Sequence, residues 1–205
     1  MRPGHAVGRG LIAAAVLLAC LGSARAATVT VVNLDGAGEG FNDPTVVSAV
    51  GGNSATTRGA QRLAAFQYAA DLWGAQLAST VTILVGANMD PLTCSAGSAV
   101  LGQAGATTAH ANFANAPFAN TLYPQALANK LAGSDQSANR DISATFNSAI
   151  GTTCAFPSVW YYGFDASPPG GQLDFVAVVL HEIGHGLGFQ TFVTTSTGAR
   201  EVASR

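Results

Sequence analysis

Two histidines and a glutamate near the end of the chain have the types and spacing of a zinc-binding helix. His181 and His185 are separated by three residues, and Glu182 directly follows the first histidine. On an α-helix, residues four apart lie on one face about 5–6 Å from each other, so both imidazoles can reach one ion. A bound zinc ion lowers the pKa of water, and a nearby carboxylate can accept the proton. The spacing therefore predicts zinc-dependent hydrolysis, with His181 and His185 as ligands and Glu182 as general base.

The valine-rich sequence before His181 is compatible with a helix or a buried strand. In a strand, His181 and His185 would lie about 13 Å apart, which is too far to share one ion. In a helix, residues 173–187 form a nearly continuous apolar surface, which is typical of a central buried helix. Three glycines weaken the helix propensity of this segment, so they predict tight packing and a chain that leaves the helix near Gly188.

The segment HEIGHGLGF, residues 181–189, resembles the zinc helix of zincin metallopeptidases, and Gly188 is similar to the glycine of the metzincin pattern HExxHxxGxxH. Together with GEGFNDP at 38–44 and DISATFNS at 141–148, it resembles secreted bacterial metallopeptidases of a leishmanolysin-like kind. The resemblance implies an α+β fold, the N-terminal subdomain of a zincin-like metallopeptidase. We then expect a twisted mixed sheet with an edge strand over the cleft, a long backing helix and a zinc-binding active-site helix.

The sequence departs from the metzincin pattern at the third ligand, because Thr191 stands where a histidine is expected. In leishmanolysin-like proteins the third histidine follows a long insertion, so the resemblance implies a fragment truncated after the zinc helix, without the C-terminal subdomain. The other candidates for a third ligand are His110, Asp165, Asp174 and Glu201. None has diagnostic spacing, so the third ligand of the single expected zinc ion is left unassigned.

The first residues have the organisation of a secretory signal peptide. Two arginines accompany an apolar run at residues 11–21, and small residues follow up to Ala26. We expect residues 1–26 to be cleaved, leaving 27–205 as the catalytic domain, either secreted or periplasmic. A lipoprotein signal ending at Cys20 is the weaker alternative. The apolar run is shorter than the roughly 20 residues that span a membrane, so no membrane span is expected.

Removal of the signal peptide would leave one pair of cysteines, Cys94 and Cys154, in an oxidising compartment. A disulfide between them is the favoured interpretation, and two free buried thiols are the alternative.

Composition restricts the classes of partner. The formal net charge is −2 and only 10% of residues are charged, without a basic cluster, which excludes a nucleic-acid-binding surface. The expected partner is a protein or peptide substrate, and the sequence carries no indication of oligomeric state. The alternative function is a catalytically incomplete zinc-binding or interaction module.

Several elements are predicted to position this helix. Periodicity of two indicates a first strand at 27–34, and steps of three and four indicate a helix at 57–77 with Trp73 on its apolar face. The remaining predictions are a buried strand at 81–85, an exposed or edge strand within 98–113 that contains His110, a short helix at 124–131, a strand at 141–146 and an aromatic cluster at 158–164.

Overall fold

The computed structural model describes residues 25–201, which fold into a mixed α+β structure. Residues 1–24 of the predicted signal peptide 1–26, Cys20 among them, lie outside the described residues. The strands are β1 (Val29–Asn33), β2 (Ile83–Asp90), β3 (Gly102–Ala106), β4 (Ala109–His110), β5 (Tyr123–Pro124), β6 (Ile142–Asn147), β7 (Val159–Tyr161) and β8 (Gln172–Asp174). The α-helices are α1 (Arg58–Gln76), α2 (Gln125–Ala132) and α3 (Phe175–Leu187).

The main sheet has four strands in the order β1-β2-β6-β3. The strands β1, β2 and β6 are parallel, whereas β3 runs antiparallel to β6, with Ala104 opposite Ala144. The sheet is therefore mixed, and β3 forms one of its edges. Two further pairs, β4 with β5 and β7 with β8, form small separate sheets.

The helices α1 and α3 pack side by side on one face of the main sheet. Helix α1 contacts β1, and α3 contacts β3 and β6. In β6 the side chains alternate: Ile142, Ala144 and Phe146 are fully buried, whereas Ser143 is exposed. This alternation places the apolar side chains of the strand beneath the two helices.

Aromatic side chains join the two helices to the sheet. Phe146 of β6 makes edge-to-face contacts with Phe66 of α1 and Phe175 of α3, at ring centroid distances of 5.4 and 5.2 Å. Trp160 and Tyr162 pack against Phe175 in the same way. Each such pair contributes about 0.5–1.5 kcal/mol beyond its buried area, so this cluster fixes the start of α3 against the sheet.

Helix α1 agrees with the predicted helix at 57–77, and the side chain of Thr57 caps it by accepting from Ala60 N at 3.3 Å. Its buried face is less apolar than the sequence predicts. Arg62 is 3% exposed, while Trp73 is only half-buried. The buried guanidinium is accommodated because it donates to the hydroxyl of Tyr162 at 3.0 Å and to the carbonyl of Gly40 at 2.9 Å.

A disulfide joins Cys94 and Cys154, whose Cα atoms lie 5.9 Å apart. It links the loop after β2 to the loop after β6, and these loops are also held by Asn147. The buried Asn147 side chain accepts from Leu92 N at 3.1 Å and donates to Val100 O at 2.8 Å. The bridge and the asparagine together fix the segment that leads into β3.

No helix within residues 25–201 combines the length and the hydropathy needed to cross a membrane.

Candidate metal-binding and catalytic site

The site lies on α3, whose start is fixed by its first residues. Asp174, the last residue of β8, caps the helix by accepting from Ala177 N at 3.1 Å. Phe175, which follows, is fully buried in the aromatic cluster. The predicted helix is therefore present, and its first turn is anchored by one capping hydrogen bond and one buried ring.

The two histidines of α3 point their Nε2 atoms at each other. Nε2 of His181 and Nε2 of His185 are 3.0 Å apart, and the two rings are nearly perpendicular. His181 is exposed and His185 is half-buried, so the pair opens to solvent.

The end of α3 turns back towards His185. Gly188 ends the helix with a φ of +134°, and its N–H donates to the carbonyls of Gly184 and His185, both at 3.2 Å. This turn brings the carbonyl oxygen of Phe189 to 2.7 Å from Nδ1 of His185. Because a carbonyl can only accept, Nδ1 carries a hydrogen, and in the neutral form of the imidazole the lone pair is then on Nε2.

Glu182 lies between the two histidines in sequence and packs towards the sheet. Glu182 is only 9% exposed, which is uncommon for a glutamate. A Cβ at Gly102 of β3 would lie 3.1 Å from Cγ of Glu182 and 2.9 Å from Cδ1 of Phe146. A side chain at position 102 would therefore displace one of them, so the glycine of the edge strand leaves room for Glu182.

Close packing holds α3 in place along its length. A Cβ at Gly186 would lie 2.4 Å from Cγ2 of Ile142 in β6, so the backbone of the helix rests almost directly on that strand. From the other side, Nε1 of Trp73 in α1 donates to the carbonyl of Leu180 at 3.0 Å. The tight packing predicted from the glycines of this segment is thus found at Gly186.

A cleft opens beside the site, between α3 and the segment that enters β3. Its volume is about 440 Å³. It is lined by residues 100–102 on one side and by Ala177, Val178, His181 and Glu182 on the other. Beyond the end of α3, the side chain of Gln190 approaches β3 at Gly105, and its Nε2 is buried without a hydrogen-bond partner among the described residues.

The histidine pair fits two of the ligands of a zinc ion. Two nitrogen ligands of a tetrahedral zinc lie about 3.3 Å apart, for Zn–N distances of about 2.0–2.1 Å. The observed separation of 3.0 Å between the two Nε2 atoms is close to that value. Residues 25–201 contain no group of three or more His, Cys, Asp or Glu side chains placed to hold a metal ion. The pair therefore provides two ligands and no third one from these residue types.

The four candidates for a third ligand have other partners or positions. In β4, Nε2 of His110 pairs with the hydroxyl of Thr108 at 3.0 Å. Asp165 accepts from the hydroxyl of Tyr161 at 2.7 Å, and this hydrogen bond holds the pKa of Asp165 below its usual value. Asp174 caps α3, and Glu201 is exposed.

Two parts of the site were not predicted from the sequence. One is the carbonyl of Phe189, and the other is Gly102 together with residues 100 and 101, which precede it and line the cleft. The glycine at position 188 predicts the helix end, but a backbone carbonyl has no sequence signal of its own. Gly102 lies in a segment of small residues whose partner in space depends on the pairing of β3 with β6.

A family model described as SPBPB7E8-like matches residues 79–197. No curated protein and no solved structure matches the chain significantly. The assignment to leishmanolysin-like metallopeptidases of the zincin or metzincin type is therefore wrong: the match is to a different family, and no third ligand joins His181 and His185 within the described residues. The error arose because the resemblance was carried by three short segments, 38–44, 141–148 and 181–189, and matches of this length do not establish the family of a whole chain.

The matched segment covers more than half of the chain, from just before β2 to beyond the end of α3, and it includes Glu182 and both histidines. This chain belongs to the SPBPB7E8-like family.

Proposed function

We propose that the chain is a zinc-dependent hydrolase of peptide bonds, with His181 and His185 as metal ligands and Glu182 as general base. The observation that supports this most is the convergence of the two Nε2 atoms at 3.0 Å. The bond from His185 Nδ1 to Phe189 O keeps the lone pair of Nε2 directed at that point. The convergence of the two Nε2 atoms is not required for packing, since His181 is exposed.

Each residue has a chemical role in this proposal. A zinc ion held by the two histidines would supply a polarised, more acidic water at neutral pH. Glu182 accepts the proton of the attacking water and then delivers it to the leaving amine. Its low exposure favours this role, because electrostatic interactions are stronger where water is largely excluded.

In this proposal the edge strand β3 lies over the cleft as its rim, with α3 as its floor. The other long helix, α1, supports α3 from behind through the bond from Trp73 to Leu180. We also propose that the protein acts after export, outside the cell or in the periplasm. The disulfide between Cys94 and Cys154 supports an oxidising compartment.

The first test is the metal content of the purified protein, measured by mass spectrometry beside three variants. We expect about one zinc per chain in the wild type, loss of zinc in His185→Ala and retention in Glu182→Gln. His110→Ala is the matched control, because this histidine lies in β4 and should leave the zinc content unchanged. Hydrolysis of a protein substrate should disappear in Glu182→Gln, and activity that persists in this variant would overturn the mechanism.

The second candidate is a metal-binding or interaction module without turnover. It is favoured by the observation that only two of the usual ligand side chains gather within residues 25–201. Catalytic zinc sites usually have three protein ligands and an open position. Zinc binding weaker than micromolar, with no hydrolysis of any protein substrate, would support this candidate over the hydrolase.

A further inference from the structure

The cleft beside Glu182 is almost entirely apolar. Apart from His181 and Glu182, its lining consists of glycine and of aliphatic side chains from the segment before β3 and from α3. Its volume of about 440 Å³ lies in the range of about 300–1,000 Å³ that is typical of ligand sites. A recognition site for a charged group would need a charged or hydrogen-bonding partner, and the apolar part of this cleft provides none.

The aliphatic side chains of this cleft are open to solvent. Val100 is 40% exposed, Ala177 is exposed, and Val178 is half-buried. Their apolar surface is therefore available to a ligand, whereas the core of the molecule already covers the other face of α3. Covering such surface is worth about 25 cal/mol per Å².

The apolar part of the cleft lies next to the proposed reacting groups. Ala177 lies one helical turn before His181 and on the same face of α3 as that histidine. Val178 has the same relation to Glu182. One turn corresponds to about 5.4 Å, and consecutive Cα atoms of a peptide are about 3.8 Å apart. A peptide whose cleaved bond lies at Glu182 therefore places a neighbouring side chain in the apolar part.

We propose that the cleft selects peptides with a large aliphatic or aromatic side chain directly beside the cleaved bond, seated between Val100 and Val178. This inference rests on the proposed function and adds the class of substrate to it. In the reaction, water adds its oxygen to the carbonyl carbon, the C–N bond breaks, and the proton taken up by Glu182 goes to the departing amine. A lysine or glutamate side chain seated between Val100 and Val178 would lose water without gaining a partner from these aliphatic side chains, so the cleft disfavours it.

The kinetic test uses two peptides that differ only in one residue beside the cleaved bond, leucine or lysine. For the wild type we expect kcat/KM to be at least about tenfold higher for the leucine peptide. Val100→Asp places a carboxylate on the rim and should lower that ratio at least about tenfold. The matched control is Val159→Asp: Val159 is 43% exposed, similar to the 40% of Val100, but lies in β7 outside the cleft, so the ratio should not change.

A binding test separates this inference from the proposed function. The affinity of both labelled peptides for the Glu182→Gln protein is measured by fluorescence anisotropy, with and without Val100→Asp. Tighter binding of the leucine peptide that is lost in Val100→Asp supports the inference. If the wild type cleaves neither peptide, that absence of cleavage overturns the proposed hydrolysis but not the binding preference. Equal affinity for both peptides, or a preference that Val100→Asp does not change, overturns the inference.

Discussion

Nδ1 of His185 donates to the carbonyl oxygen of Phe189 at 2.7 Å, so the last turn of α3 is tied to the residue that follows its end. The direction of Nε2 therefore depends on the path of the backbone after the helix. That path passes through Gly188, whose φ of +134° is rarely adopted by residues with a side chain. One glycine outside the HExxH sequence thus controls the orientation of a proposed ligand.

The first prediction concerns this glycine. Gly188→Ala should strain the turn by about 1–3 kcal/mol and move the Phe189 carbonyl away from His185. Loss of such a supporting hydrogen bond typically weakens metal binding about 10–100-fold. We therefore expect the zinc affinity of Gly188→Ala, measured by competition with a chelator, to fall by at least tenfold.

Gly133→Ala is the control for this substitution. Gly133 ends α2 with a φ of +73°, and a Cβ there would have no neighbour within 4 Å. We expect a comparable loss of stability in thermal unfolding, with unchanged zinc affinity. Equal zinc affinity of the Gly188→Ala and wild-type proteins would mean that the Phe189 carbonyl does not position His185.

The second prediction compares two glycines inside α3 that have different surroundings. A Cβ at Gly184 would lie 3.5 Å from Trp73, an ordinary contact, whereas a Cβ at Gly186 would lie 2.4 Å from the fully buried Ile142. Gly184→Ala should therefore stabilise the protein by about 0.5–1 kcal/mol through its higher helix propensity. Gly186→Ala should destabilise it by about 1–3 kcal/mol through overpacking.

Denaturant unfolding of both variants measures these differences. Adding Ile142→Ala to Gly186→Ala removes the three side-chain atoms that the new Cβ would meet, so the double variant should be more stable than the sum of the two single losses predicts. If both glycine variants change stability in the same direction, the distance between α3 and β6 is not what distinguishes them.

The elements around the site could be predicted where the types and the spacing of neighbouring residues favour one kind of local backbone. Residues 27–34, 57–77 and 141–146 were predicted as strand, helix and strand, and they correspond to β1, α1 and β6. The end of α3 near Gly188 was also predicted, because a glycine there allows a positive φ. In each of these cases the residue types decide the local backbone.

Features that depend on contacts distant in sequence were predicted less well. The buried strand at 81–85 is longer in the structure, where β2 extends to Asp90, because pairing with β6 continues through Asn88 and Met89. The strand β8, before α3, was missed because only its parallel pairing with β7 defines it. The family was assigned wrongly for a related reason: short matching segments indicate local chemistry but do not determine the rest of the chain.

The third prediction concerns pH and Asp43, which lies near the start of α1 and pairs with Arg58 and Arg62. Burial acts to raise the pKa of this carboxyl, but hydrogen bonds from Thr45 and the charges of Arg58 and Arg62 outweigh it, so the pKa is lowered. Its Oδ2 lies 3.3 Å from Nη1 of Arg58 and 3.7 Å from Nη1 of the buried Arg62. The stability gained is therefore present above the ordinary pKa of 3.8 and lost as pH falls through the lower folded value.

We expect Asp43→Asn to lower the free energy of unfolding by about 1–3 kcal/mol at pH 7, because Arg62 loses its opposite charge. The difference from the wild type should shrink as pH falls below 3.8. Urea unfolding at pH values from 2.5 to 7 measures it. Asp71→Asn is the control, since Asp71 is exposed on α1 and should change stability by less than about 0.5 kcal/mol. A constant difference at every pH would contradict a lowered pKa of Asp43.

The last prediction concerns the disulfide between Cys94 and Cys154, which are 60 residues apart in sequence. In the chain-entropy model a closed loop of this size stabilises a fold by about 4 kcal/mol, and measured values often range from about 2 to 4 kcal/mol. We expect the double substitution to serine to lower the free energy of unfolding by that amount. Asn147 still holds both ends of the loop after β2, so the native fold should persist.

Denaturant unfolding with and without a reducing agent provides the comparison. Reduction should destabilise the wild type and leave the double serine variant unchanged. The zinc content of the two proteins should be equal, because the bridge joins the loops after β2 and β6 and neither cysteine lies on α3 or in the turn at Phe189 that positions His185. Loss of zinc in the serine variant would contradict this expectation. It would mean that the disulfide also holds the segment at Val100 in place beside the site in the folded protein, in addition to restricting the unfolded chain.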